Sequence, residues 1–226
     1  MTDGLDSFSR PRFSPDGKIL AASYTATGDK VYSLDRLAMI TWPLTSAQPK
    51  ILTKDFDRSV GTYAFAPNSQ TIYFTAEDAG QENIYSIAIT GGKVTITAKG
   101  ATGVYTNLAI PEKASGAVIL GLWESAINPA ELVRFDLASK SHKTLTKFNV
   151  DRAASIDWRP LEHFSFTSKR GAEIHSMITL PPDFDENKKY PLLVLMHGGP
   201  HAHVARSVFC ALELSPARSA RTMLFC

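Results

Sequence analysis

Cysteine is nearly absent: the 226-residue chain holds two, at positions 210 and 226, and none before them. No disulfide framework holds the body of the fold, and cysteine usage fixes no redox compartment. Long apolar runs are missing too. Nothing approaches the roughly 20 residues needed to span a bilayer, so no membrane partner is expected. There is no Lys/Arg-rich run, and the formal net charge is only +2, so no nucleic acid is expected either. The opening stretch, MTDGLDSFSRPRFSPDGK, lacks the apolar centre of a secretory signal. The true amino terminus is expected to lie upstream, which leaves cytoplasmic, periplasmic and secreted locations all open. Helical periodicity is almost missing between residues 10 and 150.

What is present is ordinary globular composition, 44% hydrophobic and 20% charged, arranged as short strands between turn signals. One unit opens RPRFSPDGKILAASY: Phe13, a Ser-Pro-Asp-Gly turn, then a strand through Ile19, Leu20, Ala22 and Tyr24. A second opens TYAFAPNSQTIYFTAE, where Phe65 matches Phe13 and Ala66-Pro67-Asn68-Ser69 matches the turn. In that unit Ile84 to Ile89 leads to Gly91-Gly92 and on to Val94–Thr97, a hairpin signature. A third unit runs from YTNLAIPEKASGAVILGLWES to NPAELVRFDLASKSHKTLTKFN without the Ser-Pro-Asp-Gly turn. The spacing is roughly 45–50 residues, the period of four-stranded propeller blades. A β-sandwich with coincidental turn similarity is the alternative.

The composition then changes. Phe164 to Thr167, a Lys169-Arg170-Gly171 turn and Ile174 to Leu180 predict a hairpin, which Pro181-Pro182 ends. Asp183 to Lys189 reads as a charged surface loop. Tyr190-Pro191 leads into Leu192–Met196, a continuous apolar run of the kind covered on both faces, and then into His197-Gly198-Gly199-Pro200.

Together these features resemble the prolyl oligopeptidase family of serine peptidases. They comprise blades with Phe-Ser-Pro-Asp-Gly starts, a Glu-x-Phe-x-Phe-x-Ser-x-x-Gly-x-x-Ile segment from Glu162, Leu-Pro-Pro-x-Phe, and Tyr-Pro-Leu-x-Val-x-x-His-Gly-Gly-Pro. The likeness is nearest to the acylaminoacyl-peptidase and bacterial dipeptidyl-peptidase branch, over roughly residues 8 to 201. It implies a mainly β chain: a partial β-propeller of about three blades over residues 1–158, then the first strands of an α/β-hydrolase domain over 159–202. It also implies a Ser-Asp-His acyl-enzyme mechanism on short peptides, with no cofactor. By the same resemblance, Gly198 or Gly199 offers a backbone N–H to an oxyanion, His197 begins and braces the loop, and Pro200 stiffens its exit.

Other readings stand beside this one. His-Gly-Gly-Pro is also a plausible tight turn, and His197, His201 and His203 invite a metal, although no Asp, Glu or Cys nearby completes a ligand set; no metal is expected. His142, His163 and His175 are expected as surface or packing residues, and Glu77, Asp78, Glu82 and Glu124 as solvated loop charges. No Gly-x-Ser-x-Gly nucleophile turn occurs anywhere in the chain, so it is predicted inactive alone. The functional alternative is a non-catalytic propeller binding module of the TolB type with a vestigial hydrolase segment. The oligomeric state is not legible.

Residues 203–226 depart from the family pattern. Relatives continue Met-Trp-Arg-Asp-Gln-Phe and then Arg-Trp-Asn-Tyr-His-Leu-Leu, whereas this chain reads HVARSVFCALELSPA. Permitted codons for His203 to Val208, read one nucleotide later, encode the first of those segments. The same offset over Ala211 to Ala217 encodes Arg-Trp-Asn-Tyr-His-Leu. The tail is therefore expected to be a frameshifted reading, and the chain to be truncated at both ends.

Overall fold

The computed structural model describes residues 6–28, 33–44, 48–114, 118–181, 183–194 and, for the backbone alone, 223–225. Twelve strands come first and group by fours. The first group is β1 (Ser7–Phe13), β2 (Ile19–Thr25), β3 (Arg36–Thr41) and β4 (Lys50–Ile51), paired in that order as an antiparallel meander. The second is β5 (Val60–Phe65), β6 (Thr71–Asp78), β7 (Gln81–Ala88) and β8 (Thr95–Ala98), again antiparallel throughout. The third is β9 (Gly103–Ala109), β10 (Val118–Ser125), β11 (Asn128–Asp136) and β12 (Ser141–Thr144). These are three blades of a β-propeller, and the sandwich alternative is set aside.

The turn chemistry explains the repeat. In the first blade the Gly17 amide donates to the Ser14 carbonyl at 2.8 Å, with Gly17 at φ +70. Asp16 Oδ1 accepts from the Ser14 hydroxyl at 2.6 Å and from the Lys18 amide at 3.2 Å. In the second blade Ser69 takes the place of Gly17 at φ +58, its amide donating to Ala66, while Asn68 Oδ1 accepts from Gln70. Asp and Asn are chosen there because their short side chains bond the backbone two residues on. The two turns also meet, the Asp16 amide donating to Ser69 Oγ at 3.1 Å.

Strand periodicity builds the seams between blades, since alternate residues point to opposite faces of each sheet. Ile72, Phe74, Ala76, Tyr85 and Ile87 of the second blade pack with Ile19, Ala21, Leu37 and Leu52 of the first. The opposite face sends Ile84 and Ala98 against Tyr105, Leu108, Ile119, Val133 and Phe135 of the third. The second blade is thus apolar on both sides, each buried large side chain contributing about 1.5–3 kcal/mol. Polar stitches cross the same seams. The Tyr63 hydroxyl, on a side chain 2% exposed, donates to the Arg10 carbonyl and lies 3.0 Å from the Ala21 carbonyl. Between the second and third blades the Gly100 amide donates to buried Asn83 at 2.7 Å, and Glu82 pairs with Val104 in parallel.

After the blades, a short helix α1 (Val150–Ala154) is held to β11 through Glu131, which accepts from the Thr146 hydroxyl and, at 2.6 Å, from the Asn149 amide. A separate sheet follows: β13 (Glu162–Thr167), β14 (Glu173–Thr179), β15 (Leu192–Val194) and β16 (Met223–Phe225), in the spatial order β13-β14-β16-β15. β13 and β14 form the predicted hairpin, closed by Gly171 at φ +82 donating to Ser168. β15 and β16 run parallel, while β16 runs antiparallel to β14. The segment read from sequence as a shifted frame therefore contributes a backbone strand to this sheet. As a whole the fold is mainly β, a partial propeller followed by the first strands of an α/β-hydrolase sheet.

Candidate functional site

The loop His197-Gly198-Gly199-Pro200 lies outside the described residues, as do Leu195, Met196, His201 and His203. The structure does fix the strand that leads to it. Parallel pairing of Leu192 with Met223, Leu193 with Leu224 and Val194 with Phe225 brings the carboxyl ends of β15 and β16 to one edge of the sheet. Ligand-binding loops of α/β sheets gather at that edge, because successive parallel strands all deliver their following loops there. Leu192, Leu193 and Val194 are each about half exposed, whereas their unbroken apolar pattern belongs to a strand covered on both faces.

The histidines upstream fall into two settings. His142, on β12, is half-buried within the third blade, against Tyr105 of β9 and Trp123 of β10. Its Nδ1 lies 2.7 Å from the Tyr105 hydroxyl, and its ring stands 5.0 Å from that of Trp123. Burial lowers the His142 pKa, and burial pushes the Tyr105 phenol up to about 12. This is the packing role expected from sequence. His163 and His175 are exposed on one face of the β13–β14 hairpin, with ring centres 5.5 Å apart and planes inclined at 26°. Their pairing escaped the sequence reading. The signal for it was strand parity across the hairpin, which needs the register as well as the spacing.

The acidic residues differ from expectation in their setting. Glu77 and Asp78 end β6, Glu82 is the second residue of β7 and Glu124 lies within β10, so none of the four sits in a loop. Glu77 faces Glu82 across the β6–β7 pair, and Asp78 forms an ion pair with Arg58 at 3.0 Å. Burial raises the Glu124 pKa. The reason is register: the β6–β7 hairpin turns in two residues, Ala79 and Gly80, both at positive φ, so the flanking acids stay in the ladder.

A groove of about 480 Å³ lies between β11 and α1, lined by Ile127, Glu131, Asn149, Val150, Asp157 and Trp158 among others. Its buried carboxylate, Glu131, is already occupied by Thr146 and Asn149. Among the described residues no group of three or more His, Cys, Asp or Glu side chains is arranged to hold a metal ion.

Comparison with known proteins agrees on one lineage. No family model matches the chain. The dipeptidyl-peptidase 5 of Porphyromonas gingivalis is 28% identical over 206 residues, covering 90% of this chain and 28% of that protein. A probable dipeptidyl-peptidase 5 of Emericella nidulans is 30% identical over 215 residues, covering 88% of this chain and 27% of the relative. Among solved structures, the acylaminoacyl peptidase of Pyrococcus horikoshii superposes with a TM-score of 0.70 at 23% identity, over 93% of this chain and 31% of its own. The chain spans little more than a quarter of the length of the curated relatives it matches.

Proposed function

We infer, from the chain's membership of the prolyl oligopeptidase family of serine peptidases, that it supplies the propeller-to-hydrolase junction of an enzyme hydrolysing short peptides. The reading divides the chain into propeller over residues 1–158, the start of the hydrolase domain over 159–202, and a shifted-frame tail over 203–226. What supports it is the β13–β14 hairpin followed by β15, which leads into His197-Gly198-Gly199-Pro200, set directly after three four-stranded blades. In this reading Gly198 or Gly199 directs a backbone N–H at the oxygen that gains charge in the tetrahedral intermediate. Glycine suits that task because no Cβ keeps the backbone from the substrate. One such donor contributes about 3 kcal/mol to the barrier, a factor of 10²–10³ in rate. His197 opens the loop and Pro200 limits its exit. The propeller acts as a size filter for peptides, and the acyl-enzyme route needs no cofactor.

The same reading makes this chain inert alone, since an oxyanion donor accelerates nothing without a nucleophile to create the oxyanion. Two measurements test the two halves. A fluorophosphonate probe, with chromogenic dipeptidyl and acylaminoacyl substrates, is expected to give neither labelling nor turnover with the purified chain; a labelled serine with turnover refutes the inert half. Sequencing the locus through and beyond the codon for Cys226 is expected to find Gly-x-Ser-x-Gly, then Asp and His, in a frame one base from the present one. The absence of any such open frame refutes the peptidase half and favours a binding module.

A further inference from the structure

The hairpin β13–β14 carries a set of donors that the peptidase reading does not use. Directly opposed residues of an antiparallel pair share a face, so His163, Ser165, Thr167, Glu173, His175 and Met177 stand together, given Ser165 opposite His175 and Thr167 opposite Glu173. Phe164, Phe166 and Ile174 occupy the other face. His163 and His175 are diagonal neighbours, one residue pair apart, and such positions lie within reach of aromatic side chains at about 7–8 Å between backbones. Their rings confirm the reach at 5.5 Å between centres. Glu173 is held on the same face, Oε1 accepting from the Ser165 hydroxyl at 2.8 Å.

We propose that His163 and His175 form a two-imidazole chelate for a borderline-soft divalent cation such as Zn(II), Ni(II) or Cu(II), with the Glu173 carboxylate favouring the cation. Metal–nitrogen distances near 2.0–2.1 Å place two imidazoles on one tetrahedral ion with ring centres about 5 Å apart, close to the spacing found here. The rings now lie nearly parallel. Rotation about the broad ring torsion, which has no sharp staggered wells, turns one nitrogen of each towards a common point. Imidazole selects these cations over Mg(II) and Ca(II), which prefer oxygen. Water completes the coordination, since the site is on an exposed face. A bound ion ties β13 to β14, the hairpin against which β16 pairs.

The test is Zn(II) titration of the full chain by calorimetry, with Cu(II) electron paramagnetic resonance as a second readout. Both are run in a His201→Gln/His203→Gln background so that the tail histidines do not contribute. The expected result is one ion per chain. Either His163→Gln or His175→Gln is expected to weaken it by more than about tenfold, since even outer-shell changes cost 10–100-fold. The nitrogen pattern of the Cu(II) spectrum is expected to fall from two imidazoles to one. Both residues are exposed, and unchanged circular dichroism checks that each variant folds. Glu162→Gln, on the opposite face, is expected to bind as the background does. Equal affinity and spectra in the background and both histidine variants overturn the proposal. So does binding that disappears when His201 and His203 alone are replaced.

Discussion

Removing one oxygen atom from Tyr63 separates the polar stitch between the first two blades from the apolar packing around it. Tyr63→Phe keeps the ring, which is 2% exposed, and deletes the hydroxyl shared by the Arg10 and Ala21 carbonyls. A neutral hydrogen bond contributes about 0.5–1.5 kcal/mol net, and stranding a buried acceptor moves the loss towards 1–3 kcal/mol. The expected loss is therefore about 1–2 kcal/mol. Tyr63→Ala also empties the ring's volume and is expected to lose about 3–5 kcal/mol, as truncated buried aromatics do. In urea the Phe variant should shift the midpoint with the slope unchanged, and heating should show a drop of about 2–4 °C per kcal/mol for a chain of this size. Ionisation supplies a second arm. Burial pushes the Tyr63 phenol up to about 12, so its contribution is fully present below the unfolded value near 10 and is lost as pH rises through 12. Wild type is thus expected to destabilise across pH 10–12 more steeply than Tyr63→Phe. Stability unchanged within about 0.3 kcal/mol, with identical alkaline profiles, would falsify the account of the seam.

Three further outcomes are expected. His142 is held neutral by burial, with a lowered folded pKa, so stability is full above the unfolded value near 6.5 and is lost as pH falls through the folded one. His142→Gln should flatten that acid limb of a urea-midpoint profile, and an unaltered limb would rule the group out. A methyl added at Gly103 would sit 2.1 Å from the Glu124 carbonyl oxygen and 2.9 Å from Trp123, so Gly103→Ala should cost at least about 2 kcal/mol in denaturant unfolding. Gly28→Ala, with nothing within 4 Å, is the comparison, and equal midpoints would contradict the close approach of β9 and β10. At the second turn, Ser69→Ala keeps the left-handed backbone and loses the bond from Asp16, costing about 1 kcal/mol. Ser69→Gly relieves about 1–2 kcal/mol of strain while losing the same bond, so its midpoint should lie above that of Ser69→Ala.

The repeat was legible because turn chemistry is local. Ser14-Pro15-Asp16-Gly17 and Ala66-Pro67-Asn68-Ser69 bond their own backbones, and those bonds need no distant partner. The β13–β14 hairpin was legible for the same reason, through Gly171. The setting of the acids was not. Glu77, Asp78 and Glu82 look like loop charges until the register shows the hairpin turning at Ala79-Gly80. Nor was the pairing of His163 with His175, twelve residues apart, which exists only once Ser165 is placed opposite His175.

The sequence by itself determined the blade period, the turn types and the order in which blades give way to a hydrolase strand. Each of these follows from side-chain chemistry within a few residues. Tertiary structure decided which faces meet: Tyr63 beneath Arg10 and Ala21, His142 against Tyr105, β16 between β14 and β15. Those contacts join residues distant along the chain. Their geometry depends on register and on the angle between sheets, quantities that residue spacing along one strand does not carry.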